Sequence, residues 1–257
     1  MHFLYILIRI PKSGSQTLRE MVKKSFVKSA HFRLPSLEIE PSKSNFLESL
    51  RRQRSQFKGT LAHGALTEKG MWKNIAKKAT SGDIISGHLP YGRADLPNWE
   101  LRYITLLRNP VDRAISQYFY TREGYLKRPA IRKAYLKGMS EVAAKGSLID
   151  YLKYLHANQN RYSNPATAYI TGSRTHPAPF EFLKENYFHF GILEEISIFA
   201  TQLAEKTNTK PHELWVNKTK TKGKPVVSDE ERELLNSLFQ KDIDLYNKVK
   251  AIIYDAS

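Results

Sequence analysis

Three groups of residues carry types and spacings that could do chemistry. Pro11-Lys12-Ser13-Gly14-Ser15-Gln16-Thr17 gathers an ammonium, three hydroxyls and a glycine into seven positions. A loop of that composition presents successive backbone N–H groups to an anion, and a helix opening after it adds the positive end of its dipole. Leu107-Arg108-Asn109-Pro110 is followed by Ser116, eight residues beyond Arg108. A fork-shaped guanidinium and a hydroxyl two helical turns away can grip a phosphate from two sides. Histidine is the usual proton acceptor near neutral pH, and His88 beside Gly87 and His63 beside Gly64 are the two placed next to a glycine. The other six histidines show no metal-ligand spacing, so no metal is expected.

Each group needs an element to hold it. Phe3–Arg9 is a continuous apolar run, the pattern of a strand buried on both faces of a parallel sheet. The Lys12 loop follows it, and Thr17–Phe26 reads as an amphipathic helix. Asp83–Ser86 and Leu101–Leu107 are two further strands; the first delivers His88 and the second Arg108. Helical patterns run over Val111–Tyr120, Ala130–Ala144, Leu148–Ala157 and from Glu194 to Lys206, with a strand at Tyr187–Ile192. Residues 30–60 read as an irregular connection with one helix near Asn45–Gln56, and Asn217–Pro225 as a lysine-rich turn. Ser228 with Glu231 three residues later is a capping box opening a helix to about Ile252. The alternation predicts an α/β fold, a single domain over residues 1–257 with a central parallel sheet flanked by helices. The strand–loop–helix at its start is P-loop-like.

Composition narrows the partners. With 41 Lys+Arg against 25 Asp+Glu the formal charge is +16, a field that attracts phosphorylated cofactors, acidic glycans, nucleic acid or membrane surfaces. The chain has no cysteine, which excludes disulfides and thiolate metal sites. Phe3–Ile8 is too short to span a bilayer and lacks the flanks of a secretory signal. The expectation is a cytoplasmic protein without a membrane anchor. Read alone, the Lys12 loop could merely cap a helix with its serines. It lacks the glycine and Lys-Ser/Thr spacing of a Walker A loop, which counts against a nucleotide kinase. A nucleic-acid-binding module remains an alternative from the charge, although no aromatic and basic pattern of an RNA-binding signature supports it.

Taken as a pair, the two anion-binding segments resemble the donor-binding signatures of sulfotransferases that use 3′-phosphoadenosine 5′-phosphosulfate (PAPS). The P-K-[ST]-[AG]-[ST] loop after the first strand is similar to Lys12 through Thr17. The family's R-[ND]-P-x-[ED]-R-x-x-S-x-Y segment is similar to Arg108 through Tyr118, with the Arg-to-Ser interval intact. Weaker likenesses follow. Ser86-Gly87-His88-Leu89-Pro90-Tyr91-Gly92 resembles the x-G-H segment of the branch containing heparan sulfate 2-O-sulfotransferases. Asn160–Gly172 and Phe190–Glu195 resemble later segments of that branch, and Asn217–Lys220 a loop closing over the nucleotide.

The resemblance implies a sulfuryl transfer from PAPS to a hydroxyl acceptor, releasing 3′-phosphoadenosine 5′-phosphate (PAP). It assigns the 5′-phosphosulfate to Lys12, Ser13, Gly14, Ser15, Gln16 and Thr17, the 3′-phosphate to Arg108 and Ser116, and a clamp to Lys218 and Thr219. Lys12 would also stabilise charge on the departing oxygen, and His88 would be the base, with His63 its rival. A carbohydrate is the expected acceptor; a protein tyrosine, a lipid or a small alcohol are the alternatives. Two departures stand out. Gln16 takes a position where the family prefers Ser or Thr, and Ser86 replaces the first histidine of an H-G-H. Asp112 and Arg113 read as structural, and Tyr91, Tyr120 and Tyr125 as core residues or, alternatively, walls of a sugar cleft.

Overall fold

The computed structural model describes residues 2–34, 37, 60–133, 138–212 and 226–255. Five strands form its sheet: β1 (Phe3–Ile8), β2 (His31–Arg33), β3 (Ile84–Gly87), β4 (Glu100–Leu107) and β5 (Tyr187–Ile192). All pairings are parallel and the order is β2-β3-β1-β4-β5. The α/β class with a central parallel sheet flanked by helices is therefore observed. β1 is central because its residues are apolar on both sides. Leu4, Ile6 and Ile8 point into one cluster with Trp72, Ile75, Tyr246 and Val249. Tyr5 and Leu7 alternate into the opposite cluster with Leu18, Met21, Val22 and Phe199.

Helix α1 (Ser15–Ser25) and, later in the chain, α10 (Ile196–Thr207) cover the second face. Helix α2 (Glu68–Lys78) lies on the first face through Met71, Trp72 and Ile75. It is started by Thr67, whose side chain accepts from Gly70 N. The helix after β4, α3 (Pro110–Leu126), packs through Ala114 and Tyr118 into a third, all-helical cluster. That cluster includes α5 (Met139–Lys145) and α6 (Leu148–Ala157), and it is closed by the C-terminal helix α11 (Asp229–Asp255). Between them run α4 (Ala130–Lys133), α7 (Gln159–Tyr162), α8 (Pro165–Thr171) and α9 (Pro179–Asn186).

Several local expectations change. The single helix expected over Ala130–Ala144 is two short helices, and Gly138, at φ +81°, stands at the start of the second. The tip of Tyr154 lies 2.8 Å from where a Cβ at Gly138 would sit, so no longer residue fits there without movement. The helix expected from Glu194 begins instead with a 3₁₀ turn at Leu193–Glu195. The stretch read as irregular contributes the short edge strand β2, while the helix proposed near Asn45–Gln56 lies outside the described residues. The Ser228–Glu231 capping box forms: Ser228 N donates to Glu231 Oε2 at 2.9 Å and Glu231 N to Ser228 Oγ at 3.3 Å.

Helix α11 has an interior break at Phe239, φ −123° and ψ 23°. Asn164 and Asp242 bridge it to α8. Asn164 Oδ1 accepts from Lys241 N at 3.1 Å, and the Asp242 carboxylate accepts from Ala166 N at 2.9 Å and Thr167 N at 2.8 Å. The bridge satisfies backbone donors at both the break and a helix start.

Candidate functional site

Because β1 lies between β3 and β4, the carboxyl ends of these three strands stand side by side. In an open parallel sheet, such a reversal of strand order leaves a crevice where ligands bind. The register aligns Ile8 with Gly87 on one side and with Thr105 on the other. The Lys12 loop, His88 and Arg108 therefore leave the sheet from adjacent strands.

The loop itself is held in an unusual backbone shape. Lys12 has φ +66°, a left-handed conformation that costs a non-glycine residue about 1–3 kcal/mol. Gly14, which precedes α1, is also left-handed at φ +66° and ψ 26°. A Cβ on Gly14 would also approach Leu193 Cδ1 to 2.5 Å, so a larger residue there adds a shift of the Leu193 side chain to the strained conformation. Ser13 between them is buried at 1% exposure, and among the described residues its Oγ has no hydrogen-bond partner. Leaving such a group unsatisfied costs about 1–3 kcal/mol. Two local costs in adjacent residues, at the start of an eleven-residue helix, fit a loop shaped to donate to an oxyanion.

Arg108 reaches this loop directly: its Nη1 donates to the Lys12 carbonyl at 3.1 Å. Its own position is fixed by the start of α3. Asn109 Oδ1 caps that helix by accepting from Val111 N at 3.0 Å and Asp112 N at 3.2 Å, and Pro110 occupies the first turn. Asn109 N in turn donates to Glu194 Oε1 at 3.1 Å. Ser116 is half-buried two turns into α3. The Lys12 ammonium lies 4.3 Å from the centre of the Tyr120 ring, one turn beyond Ser116. Burial, then the neighbouring Arg108 charge, pushes the Lys12 pKa down, while Glu123 opposes the shift. Within the first turn of α1, Gln16 is exposed and Thr17 is buried. Lys218 and Thr219 lie outside the described residues.

On the other side of β1, the His88 ring hydrogen-bonds the Arg9 carbonyl through Nδ1. A carbonyl only accepts, so Nδ1 carries the proton and Nε2 keeps its lone pair. Burial first, and the Arg9 charge second, hold His88 down at about 4, so the ring is neutral near pH 7. Arg9 is itself buried and donates from Nε to Ser15 O at 3.0 Å. Burial, helped by Arg19 and Arg33, lowers its pKa to about 10. His63 is bound elsewhere: its Nε2 meets the Arg33 carbonyl at 2.8 Å, tying the segment before α2 to the edge strand.

Sequence reasoning missed His31. From β2 its Nε2 lies 2.9 Å from Ser86 Oγ, at the position where the H-G-H pattern is broken. The two are 55 residues apart, and only strand pairing brings them together, so no spacing could have announced the contact. Tyr125 is a core residue, and Tyr91 is half-buried and packed against the core. Tyr91 packs on Tyr103 at 4.4 Å and on Phe182 at 4.8 Å, and Tyr125 is 8% exposed. Tyr120 alone of the three is open, at 61%. Arg113 is fully interior, its guanidinium 5.1 Å from the Phe239 ring and near the buried Asp242 carboxylate. That matches its reading as structural.

Comparison with known proteins follows the same lines. A family profile described as the sulfotransferase domain matches residues 5–174. No curated protein sequence matches the chain. Among solved structures, it is similar to a sulfotransferase from Alicyclobacillus acidocaldarius, with 14% identity, a TM-score of 0.49, and coverage of 99% of this chain and 96% of that one. A mouse sulfotransferase, SULT7A1, solved as a complex with PAP, is also similar, at 15% identity and a TM-score of 0.45, covering 97% and 88% respectively.

Proposed function

We infer, for a chain that belongs to the sulfotransferase family, that the loop after β1 and the Arg108 strand end bind the donor PAPS, and that the acceptor is a carbohydrate hydroxyl. The observation that carries the donor reading is the junction at the sheet's switch point. There, the Arg108 guanidinium holds the carbonyl of a left-handed Lys12, next to a buried Ser13 hydroxyl that has no partner among the described residues.

The bound donor supplies an activated sulfuryl group on a nucleotide that departs as PAP. Ser13, Ser15, Gln16, Thr17 and the backbone around Gly14 hold the 5′ end, and Arg108 and Ser116 the 3′-phosphate. The family resemblance assigns Lys218 and Thr219 to the nucleotide as well. The Lys12 ammonium stabilises negative charge as it develops on the departing oxygen, a contribution that grows in the transition state. His88 Nε2 takes the proton of the attacking hydroxyl, with Nδ1–H kept on the Arg9 carbonyl so that Nε2 keeps its lone pair. A low pKa makes this imidazole a weak base, but a polyanionic donor beside it raises that value.

The carbohydrate assignment is supported by the likeness of Ser86–Gly92 to the heparan sulfate 2-O-sulfotransferase branch and by the +16 charge, which suits an acidic glycan. The cysteine-free composition agrees with a cytoplasmic setting. Among the described residues no helix is long and apolar enough to cross a membrane.

Thermal denaturation with PAP tests the donor reading. At 100 times its dissociation constant, PAP is expected to stabilise the fold by about 2.7 kcal/mol. A melting curve unmoved by saturating PAP in folded protein overturns the reading.

A further inference from the structure

Arg108 stands between two tasks that the two sequence motifs divide. The Arg108 segment is assigned to the 3′-phosphate and the Lys12 loop to the 5′ end, yet the Arg108 side chain spends a donor on the Lys12 main chain. Its Nη1 lies 3.1 Å from the Lys12 carbonyl oxygen. Lys12 is also the residue whose backbone is least content where it is: φ +66° on a side chain with a Cβ. A left-handed residue swings its carbonyl away from the direction that an extended strand end would give it. That carbonyl needs a partner to hold the turn in place. Arg108 provides it from the neighbouring strand, and the capped start of α3 keeps the guanidinium from drifting.

We propose that Arg108 is a positioning residue for the Lys12 loop as well as a phosphate contact, so that the two ends of the donor site are energetically coupled through one side chain. This rests on the donor reading above. A guanidinium suits the double task because its planar fork has five N–H donors: Nη1 serves the carbonyl and the remaining donors face an anion. A lysine ammonium carries the charge without that fixed fork. By linkage, the coupling runs both ways: an anion at the 3′ end firms the Lys12 turn, and filling the 5′ end restrains Arg108.

The experiment separates the tasks by ligand. PAP and adenosine 5′-phosphosulfate, which has no 3′-phosphate, are titrated calorimetrically into wild type, Arg108→Ala, Arg108→Lys and Ser116→Ala. Folding is checked by thermal melts. Positioning predicts that Arg108→Ala weakens both ligands at least tenfold, whereas Ser116→Ala weakens PAP only. Arg108→Lys should recover part of the PAP affinity and little of the adenosine 5′-phosphosulfate affinity. Amide hydrogen exchange in the peptide 9–16 of the ligand-free protein should quicken in both Arg108 variants. Arg108→Ala that weakens PAP but binds adenosine 5′-phosphosulfate like wild type, with exchange unchanged, overturns the coupling and leaves the donor reading standing. Wild type that binds neither ligand overturns the donor reading itself.

Discussion

The two flanks of β1 solve different problems with different materials. Toward β4, the proposed donor side is built largely from main chain: left-handed turns at Lys12 and Gly14, the N-terminal end of α1, and an asparagine-capped α3 that carries Ser116. Its key residues sit in two short contiguous motifs. Toward β3, the proposed acceptor side is assembled from side chains that reach across strands. His88 holds the Arg9 carbonyl, His31 meets Ser86, and His63 holds the Arg33 carbonyl. Here each partner comes from a different stretch of sequence. Backbone-built geometry tolerates few changes of residue, whereas contacts made by single side chains can be exchanged one at a time. A common donor with a variable acceptor is what such a division allows.

The comparison breaks first, and most visibly, at His88. His88→Ala is expected to lose on the order of 10²–10⁴ in single-turnover sulfuryl transfer, the usual worth of a positioned base. PAP affinity should stay near wild type. His63→Ala, whose ring is tied to Arg33, should stay within a few-fold of normal. Reversal of these two results would move the base to His63, and indifference to both would remove histidine from the mechanism. The pH profile sharpens the same point: with His88 at about 4, the acid limb of the ligand-free enzyme's kcat/KM lies well below the ordinary histidine value of 6.5.

Lys12→Ala comes next, with a loss of about 10²–10³ in kcat if the ammonium acts on developing charge. A raised donor KM with kcat unchanged would reduce Lys12 to a binding residue. Arg108→Ala and Ser116→Ala should each weaken PAP by about 1.5–3 kcal/mol, with Arg108 at the upper end because its contact is charged. Equal PAP affinity in Arg108→Ala and wild type would separate this strand end from the donor. The smallest effect belongs to Ser13. Ser13→Ala removes a buried hydroxyl without a described partner, so the ligand-free protein should gain up to about 1 kcal/mol while PAP binds less well. Lower stability together with unaltered PAP binding would show that the hydroxyl is satisfied by other means.

Acid should also weaken the fold. His88 and His189 are both held at about 4 by burial, and His189 bonds the Phe199 carbonyl at 2.9 Å. The unfolded chain therefore takes up more protons than the native one between 6.5 and 4. The stability conferred by the neutral rings is complete above 6.5 and is lost as pH falls through that window. Chemical denaturation across the range measures it, and His189→Gln should flatten the slope while leaving PAP binding intact.

The donor side was legible because its chemistry is local. A buried strand, a loop of hydroxyls around a glycine and a proline at a helix start leave marks within a few residues, and the Ser228 capping box did the same for its helix. What stayed hidden depends on distance or on weak patterning. Helix α2 escaped although Thr67 and the Met71, Trp72, Ile75 spacing mark it. The three-residue β2 has no periodicity to detect, and it becomes a strand only by pairing with β3. The sequence leaves Tyr91 open between core and cleft; its place among Tyr103, Phe182 and Tyr187 follows from the sheet and α9.

The central place of β1 has a consequence for biosynthesis. Phe3–Ile8 is six apolar residues without charge, proline or glycine, the kind of segment that stacks with copies of itself when exposed. Its partners come late: the Thr105 hydroxyl that bonds the Ile8 carbonyl lies 97 residues downstream. At typical elongation speeds of about 5–20 residues per second, the nascent strand waits on the order of 5–20 s for β4. Arg9, Pro11 and Lys12 stand immediately behind it, two charges and a residue that cannot join a ladder. Lys12, proposed above to act on the donor, thus stands with Arg9 and Pro11 at the place where gatekeeper residues flank an aggregation-prone strand.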